Sequence, residues 1–154
     1  ALFGFDSDHI EVVIHPQSIV HSMIRCHDGA VYAQLSKPDM SLAIVSSLLD
    51  GPKGVVDRLD FSSLSLTFEA PDRVRFPLLS LAYDILRRND LSAIAFNAAD
   101  EVAVAAFLQD QIGYLEMIDV VRRTVEQEWS GAPDSLDTII ESDRRAREVA
   151  LRLL

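Results

Sequence analysis

A single cysteine in 154 residues, Cys26, has no partner for an internal disulfide, so nothing in this chain is stapled covalently. Glycine is scarce as well. There are six, and none falls in a G-x-G-x-x-G arrangement, which excludes from this chain the glycine-rich strand–turn–helix that cradles nucleotide phosphates. Positive charge is in deficit: 14 Lys and Arg stand against 24 Asp and Glu, a formal net charge of −10. Over a Debye length of about 8–10 Å such a chain repels phosphates, which argues against nucleic acid as a partner and requires any phosphate site to be a local cationic pocket. No stretch reaches the roughly 18–20 consecutive apolar residues of a membrane span, and no signal-peptide pattern is present, so a cytoplasmic location is expected, with no membrane partner. At this length the chain holds one compact domain or two small ones.

What is present begins with residues 10–40. Ile10, Val12 and Ile14 alternate as a mostly buried strand that Pro16 must end, because proline has no N–H for a sheet ladder. Residues 22–35 read as a hairpin. Met23, Ile24, Val31, Tyr32 and Leu35 flank Asp28-Gly29, and glycine takes the positive φ such a turn requires. An apolar run, Leu42 to Leu49, predicts a helix capped by Asp39 or Ser41 and broken by Gly51-Pro52-Lys53-Gly54. Residues 55–74 read as an extended connection with one short strand or pinned loop at Leu64, Leu66 and Phe68.

From Phe76 onward the period is helical. Leu78, Leu81, Ala82 and Ile85 form an i, i+3, i+4, i+7 stripe that Asn89-Asp90 ends. Residues 92–110 are apolar almost all round, predicting a central helix that buries Ile94, Phe96, Val102, Val104, Phe107 and Leu108. Leu115, Ile118, Val121 and Val125 mark a third helix, and residues 135–154 a fourth, with a break expected at Ser142-Asp143. The expected fold is α+β: a β-rich half-domain with a hairpin, a linker, and a C-terminal four-helix bundle.

Several blocks in order also resemble one known family. The stretch Ile14-His15-Pro16-Gln17-Ser18-Ile19-Val20-His21-Ser22 through Pro38-Asp39-Met40 is followed by Leu59-Asp60-Phe61, Leu66-Thr67-Phe68-Glu69, Pro71-Asp72, Arg75-Phe76-Pro77 and Asn97-Ala98-Ala99-Asp100-Glu101-Val102-Ala103. Together they are similar to 1-deoxy-D-xylulose 5-phosphate reductoisomerases, with Asp100 a departure where the family often has Asn. The resemblance implies an NADPH- and metal-dependent (Mg or Mn) enzyme that makes 2-C-methyl-D-erythritol 4-phosphate on the non-mevalonate route to isoprenoids. It also implies that this chain is the C-terminal part of a subunit: residues 1–54 the end of a catalytic, dimerising domain, 55–74 a linker, and 75–154 the helical bundle. The cofactor domain, the metal-binding acids and a substrate-binding Asn-Lys would then lie upstream of Ala1. The chain alone is expected to be inactive and to bind neither cofactor, with a homodimer forming through the β-hairpin region. The other reading is a short non-catalytic protein that keeps the family's assembly surfaces as an interaction module.

Site candidates are few, and none is expected to be catalytic or a metal ligand within this chain. His9, His15, His21 and His27 recur every six residues, but Pro16 and the Asp28-Gly29 turn prevent one continuous strand from presenting four rings to a metal. By resemblance His21 lies near the substrate pocket; the alternative is a polar ring satisfied inside a sheet. Pro38 and Met40 resemble the residues that pack beside the nicotinamide of NADPH, where a thioether walls the site without offering protons. Ordinary packing at a helix start is the other possibility. His15, Gln17 and Ser18 read as structural, Asp39 as a cap, and Asp100 and Glu101 as solvated or capping carboxylates, since adjacent helical residues diverge by about 100°.

Overall fold

The computed structural model describes residues 5–49 and 56–154. After a 3-10 turn at Ser7–His9 come two strands, β1 (Val20–Arg25) and β2 (Val31–Leu35), and a short helix, α1 (Ser41–Leu48). Four longer helices follow: α2 (Pro77–Arg88), α3 (Ser92–Leu108), α4 (Tyr114–Val125) and α5 (Leu136–Leu153). The architecture is α+β, with the hairpin and the four-helix arrangement the sequence predicts. Two compact units divide the chain: Val12–Pro71, and the flanking residues through Glu11 and from Asp72 to Leu154. The expected helix break at residues 51–54 lies outside the described residues.

The helical unit is built on small residues. α3 has Ser92, Ala95, Ala98, Ala99, Ala103 and Ala106 buried, and α5 meets it with Ala146 and Ala150. Side chains this short let helix backbones approach closely, and the larger volume is supplied by Val120, Val121 and Val125 of α4 with Trp129 beyond it. Complete burial of an aliphatic side chain such as Val121 is worth about 1.5–3 kcal/mol. The expected core of α3 is therefore corrected: Ile94, Phe96, Val102 and Val104 are only half-buried, while Phe107 and Leu108 are 37% and 74% exposed. Leu115 is likewise exposed rather than inward. The broad apolar surface of α3 made the large residues look central; close helix contact selected the alanines instead.

Local signals set the helix ends. Pro77 occupies the first turn of α2, where its missing N–H costs nothing, and Asn89 ends the helix in the left-handed region with its N–H on the Ile85 carbonyl. The Ser135 hydroxyl caps α5 by accepting from the Thr138 N–H at 3.1 Å. The break expected at Ser142-Asp143 does not occur, because the Ser142 hydroxyl turns inward and donates to the Thr138 carbonyl at 2.7 Å within the helix.

In the other unit β1 and β2 pair antiparallel around a three-residue loop. The Gly29 N–H bonds the Cys26 carbonyl, Cys26 N–H bonds the Ala30 carbonyl, and Gly29 takes φ +87°. The strand expected at residues 10–14 reduces to one bridge, Ile14 with Glu69. The Ile10 carbonyl accepts instead from the Tyr83 hydroxyl, and the Ile10 N–H is spent on the Ser7 carbonyl of the 3-10 turn. That same bridge pins part of the expected 55–74 connection into the β unit, and the helical unit takes over at Asp72. There the carboxylate accepts from the Val74 and Arg75 N–H groups and turns the chain toward α2.

Candidate functional site

The β unit positions the sequence-predicted residues. Along β1 the register shifts: Val20 pairs with Leu35, but Ser22 pairs with Gln34. His21 is thus the extra residue of a β-bulge, a device that re-aims a side chain. Its Nε2 lies 2.8 Å from the Ser36 hydroxyl oxygen, and that hydroxyl also donates to the Lys37 carbonyl at 3.0 Å. Ser36 is 5% exposed, and its own N–H is held by the Ile19 carbonyl at 3.0 Å.

Directly after Ser36 the chain bends toward α1. The Asp39 N–H reaches back to the Lys37 carbonyl at 2.7 Å, and the Asp39 carboxylate accepts the Ser41 N–H at 2.8 Å. Hydrogen bonding from Ser41, first through its side chain and then its backbone, holds the Asp39 carboxyl below its ordinary value of 3.8. Asp39 therefore serves α1 as a cap, with Met40 in the boundary position. Pro38 and Met40 flank this turn and are exposed, Met40 by 68%, so they form an apolar ledge at the start of α1. Lys37 is engaged by Asp57 at 2.8 Å.

A second cluster braces the chain upstream of His21. The His15 Nδ1–H donates to the Thr67 carbonyl at 2.8 Å while the ring stacks on Phe68, centroids 4.7 Å apart. The Gln17 amide clamps Thr67 from both ends: its Nε2 donates to the hydroxyl at 2.8 Å, and its Oε1 accepts the backbone N–H at 3.2 Å. The structural part read for Gln17 is this contact across 50 residues. Ser18, at φ +52°, closes the turn between the two clusters through its N–H to the His15 carbonyl. Ser36, Thr67 and the bulge are what sequence reasoning missed. No local pattern marks them, because each acts through a partner remote in the chain.

The remaining histidines go elsewhere. His9 is bonded to Asp6 at 2.6 Å in the helical unit, holding the Asp6 carboxyl below its ordinary value, and His27 is exposed in the hairpin loop. Among the described residues no three His, Cys, Asp or Glu side chains converge, so this donor set does not fit a metal ion. Glu101 is neither capping nor merely solvated. It accepts from Arg147 of α5 at 2.6 Å and from Asn97, and Arg147 also grips Asp143 at 2.7 Å. The Arg147 hydrogen bond holds the Glu101 carboxyl below its ordinary value. Beside this network an open groove of about 470 Å³ runs between α3 and α5, lined by Ala93, Ile94, Asn97, Ile139, Ile140 and Asp143. Its one carboxylate, Asp143, is engaged by Arg147.

Against known families, residues 35–149 match the one described as DXP reductoisomerase C-terminal domain. The chain is 44% identical over 151 residues to the 1-deoxy-D-xylulose 5-phosphate reductoisomerase of Treponema pallidum, covering 96% of this chain and 40% of that protein. It is 46% identical to the Cupriavidus pinatubonensis enzyme, covering 97% and 38%. It also superimposes on the Zymomonas mobilis enzyme solved with NADPH (TM-score 0.88, 37% identity, 99% of this chain and 41% of that one). A reductoisomerase solved with NADPH, fosmidomycin and magnesium gives a TM-score of 0.85 at 34% identity, over 99% of this chain and 40% of that one. The chain belongs to the 1-deoxy-D-xylulose 5-phosphate reductoisomerase family. It spans about two-fifths of the length of the relatives it matches.

Proposed function

We propose that this chain forms the C-terminal part of a cytoplasmic reductoisomerase subunit that converts 1-deoxy-D-xylulose 5-phosphate to 2-C-methyl-D-erythritol 4-phosphate, and that it lines one wall of the pocket. The observation that carries this reading is the His21–Ser36 hydrogen bond, which ties an imidazole to the residue that leads into the Pro38–Met40 ledge. NADPH supplies the hydride when bound. In this chain Pro38 and Met40 give the nicotinamide an apolar, polarizable surface that excludes water, and His21 offers a hydrogen bond to the sugar phosphate. The divalent metal of the reaction is assigned to acids outside this chain.

The β unit also supplies the dimer contact in this reading. Met23, Ile24, Val31 and Tyr32 are 43–68% exposed on the hairpin, and a two-stranded sheet leaves edge N–H and C=O groups to be paired. The same exposed surface is what an interaction module without catalysis would use.

The test joins this chain to the upstream part of the Treponema pallidum relative. The joined subunit is expected to oxidise NADPH with 1-deoxy-D-xylulose 5-phosphate and magnesium. The 154-residue chain alone is expected to do neither that nor bind NADPH by calorimetry. In the joined subunit Met40→Ala should raise the KM for NADPH, and His21→Ala should impair use of the sugar phosphate. Turnover by the isolated chain, or an inactive joined subunit that is folded, overturns the assignment.

A further inference from the structure

We propose that Ser36 is a positioning residue: with the β-bulge it fixes His21 as the Nε2–H form and presents Nδ1 bare, as an acceptor, to a hydroxyl of a polyhydroxylated sugar phosphate. This rests on the function proposed above. The argument is a count of protons. A serine hydroxyl carries one hydrogen, and that of Ser36 goes to the Lys37 carbonyl at 3.0 Å, a group that can only accept. The 2.8 Å contact between Ser36 Oγ and His21 Nε2 then needs the imidazole to donate. Neutral imidazole has a single N–H, so Nδ1 is left with its lone pair. The opposite tautomer would draw the Ser36 proton onto Nε2 and take it away from the Lys37 carbonyl.

Two further features make this a built arrangement. Ser36 is the only buried residue among the described residues of Val12–Pro71, and its N–H is fixed by the Ile19 carbonyl two residues before the ring it holds. The bulge adds His21 as an unpaired residue between the Val20–Leu35 and Ser22–Gln34 pairs, releasing its side chain from the ordinary alternation of the strand. Fixing the orientation and tautomer of an imidazole through its other ring nitrogen is what hydrogen-bond partners do for metal-bound histidines, where removing one costs about 10–100-fold in activity or affinity.

The experiment has two arms. In the isotopically labelled 154-residue chain, long-range ¹H–¹⁵N spectra should show His21 protonated at Nε2 and bare at Nδ1, with its N–H protected from water exchange. Ser36→Ala should lose that protection and Ser36→Thr should keep it, with the amide resonances of β1 and β2 reporting that the hairpin is intact. In the joined subunit Ser36→Ala should lower kcat/KM for the sugar phosphate by about 10–100-fold while the KM for NADPH stays within about twofold, and Ser36→Thr should restore most of the loss. A His21 protonated at Nδ1, or an unprotected N–H in the unaltered chain, overturns the assignment. So does an intact joined enzyme indifferent to Ser36→Ala, which leaves the family function standing. A joined subunit with no activity before any substitution removes the function itself and the role of Ser36 in it.

Discussion

The helical unit and the β unit solve opposite problems. In the first, thirteen apolar residues from Ile85 to Ala150 are buried, and α3 is enclosed by its neighbours through a line of alanines. In the second, Ser36 alone is buried among the described residues, and the apolar side chains of the hairpin and α1 stand in the open. Ile24, Tyr32, Met40, Ile44 and Leu48 are 55–76% exposed, an apolar surface of the kind that marks interaction sites. The one unit buries its apolar residues, and the other leaves them on its surface.

Separating the two units should break the comparison most visibly. Residues 72–154 alone are expected to give a helical circular dichroism spectrum and a cooperative melt. Residues 12–71 alone should give neither, since a piece of about 60 residues buries only about 60% of its unfolded surface. A sloping, non-cooperative trace for 72–154 would show that the alanine-lined core is not self-sufficient. Next in size is Trp129→Ala in the whole chain. Trp129 is 4% exposed, donates to the Thr124 carbonyl at 2.8 Å, accepts the Leu91 N–H on its carbonyl and stacks against Arg145. Its truncation should cost about 3–5 kcal/mol in denaturant unfolding followed at helical wavelengths.

The open surface of the β unit is sharpened by Val31→Pro, placed opposite Arg25 at the loop end of the hairpin. Sedimentation should then show a shift toward monomer; an unchanged dimer moves the interface off the hairpin. Gln17→Ala should be milder, about 0.5–1.5 kcal/mol for the Thr67 clamp, seen as faster amide exchange at Thr67 with no change in the helical melt. The smallest effect concerns Glu101. Its folded carboxyl lies below its ordinary value of 4.5, chiefly through the Arg147 hydrogen bond. Its contribution is therefore fully present above that value and lost as pH falls through the depressed one. The Tm gap between the unaltered chain and Glu101→Gln should accordingly be widest near neutral pH and close on acidification below the ordinary carboxylate value. A gap independent of pH would show that the carboxylate charge contributes nothing.

Much of the fold was legible locally. Asp28-Gly29 marked the hairpin, Asn89-Asp90 ended α2, and helical spacing of apolar residues marked α2 and α4, while α3 was read from an apolar surface on nearly every side. Burial was not legible in the same way, because hydrophobic patterning weighs Phe107 and Leu108 above Ala99 and Ala103, whereas close contact between helices selects by size. The strand at 10–14 and the break at Ser142 failed for a related reason: both were decided by which partner took a hydrogen bond, Tyr83 in one case and Thr138 in the other. At the candidate site, His21, Pro38 and Met40 could be named from the resemblance. The bulge that turns His21 and the hydroxyl that engages it depend on register across the hairpin, which alternation within one strand does not encode.

The place of the single tryptophan has an optical consequence. Trp129 belongs to the helical unit, so indole emission is an address within that half of the molecule. Tyr32 is the one tyrosine in the β unit, while Tyr83 and Tyr114 share the half that holds the indole. A phenylalanine at position 32 would therefore silence the β unit without touching the emission of its neighbour. Heating followed at two excitation wavelengths, with and without that change, reads the order in which the halves come apart from this one chain, with no added dye.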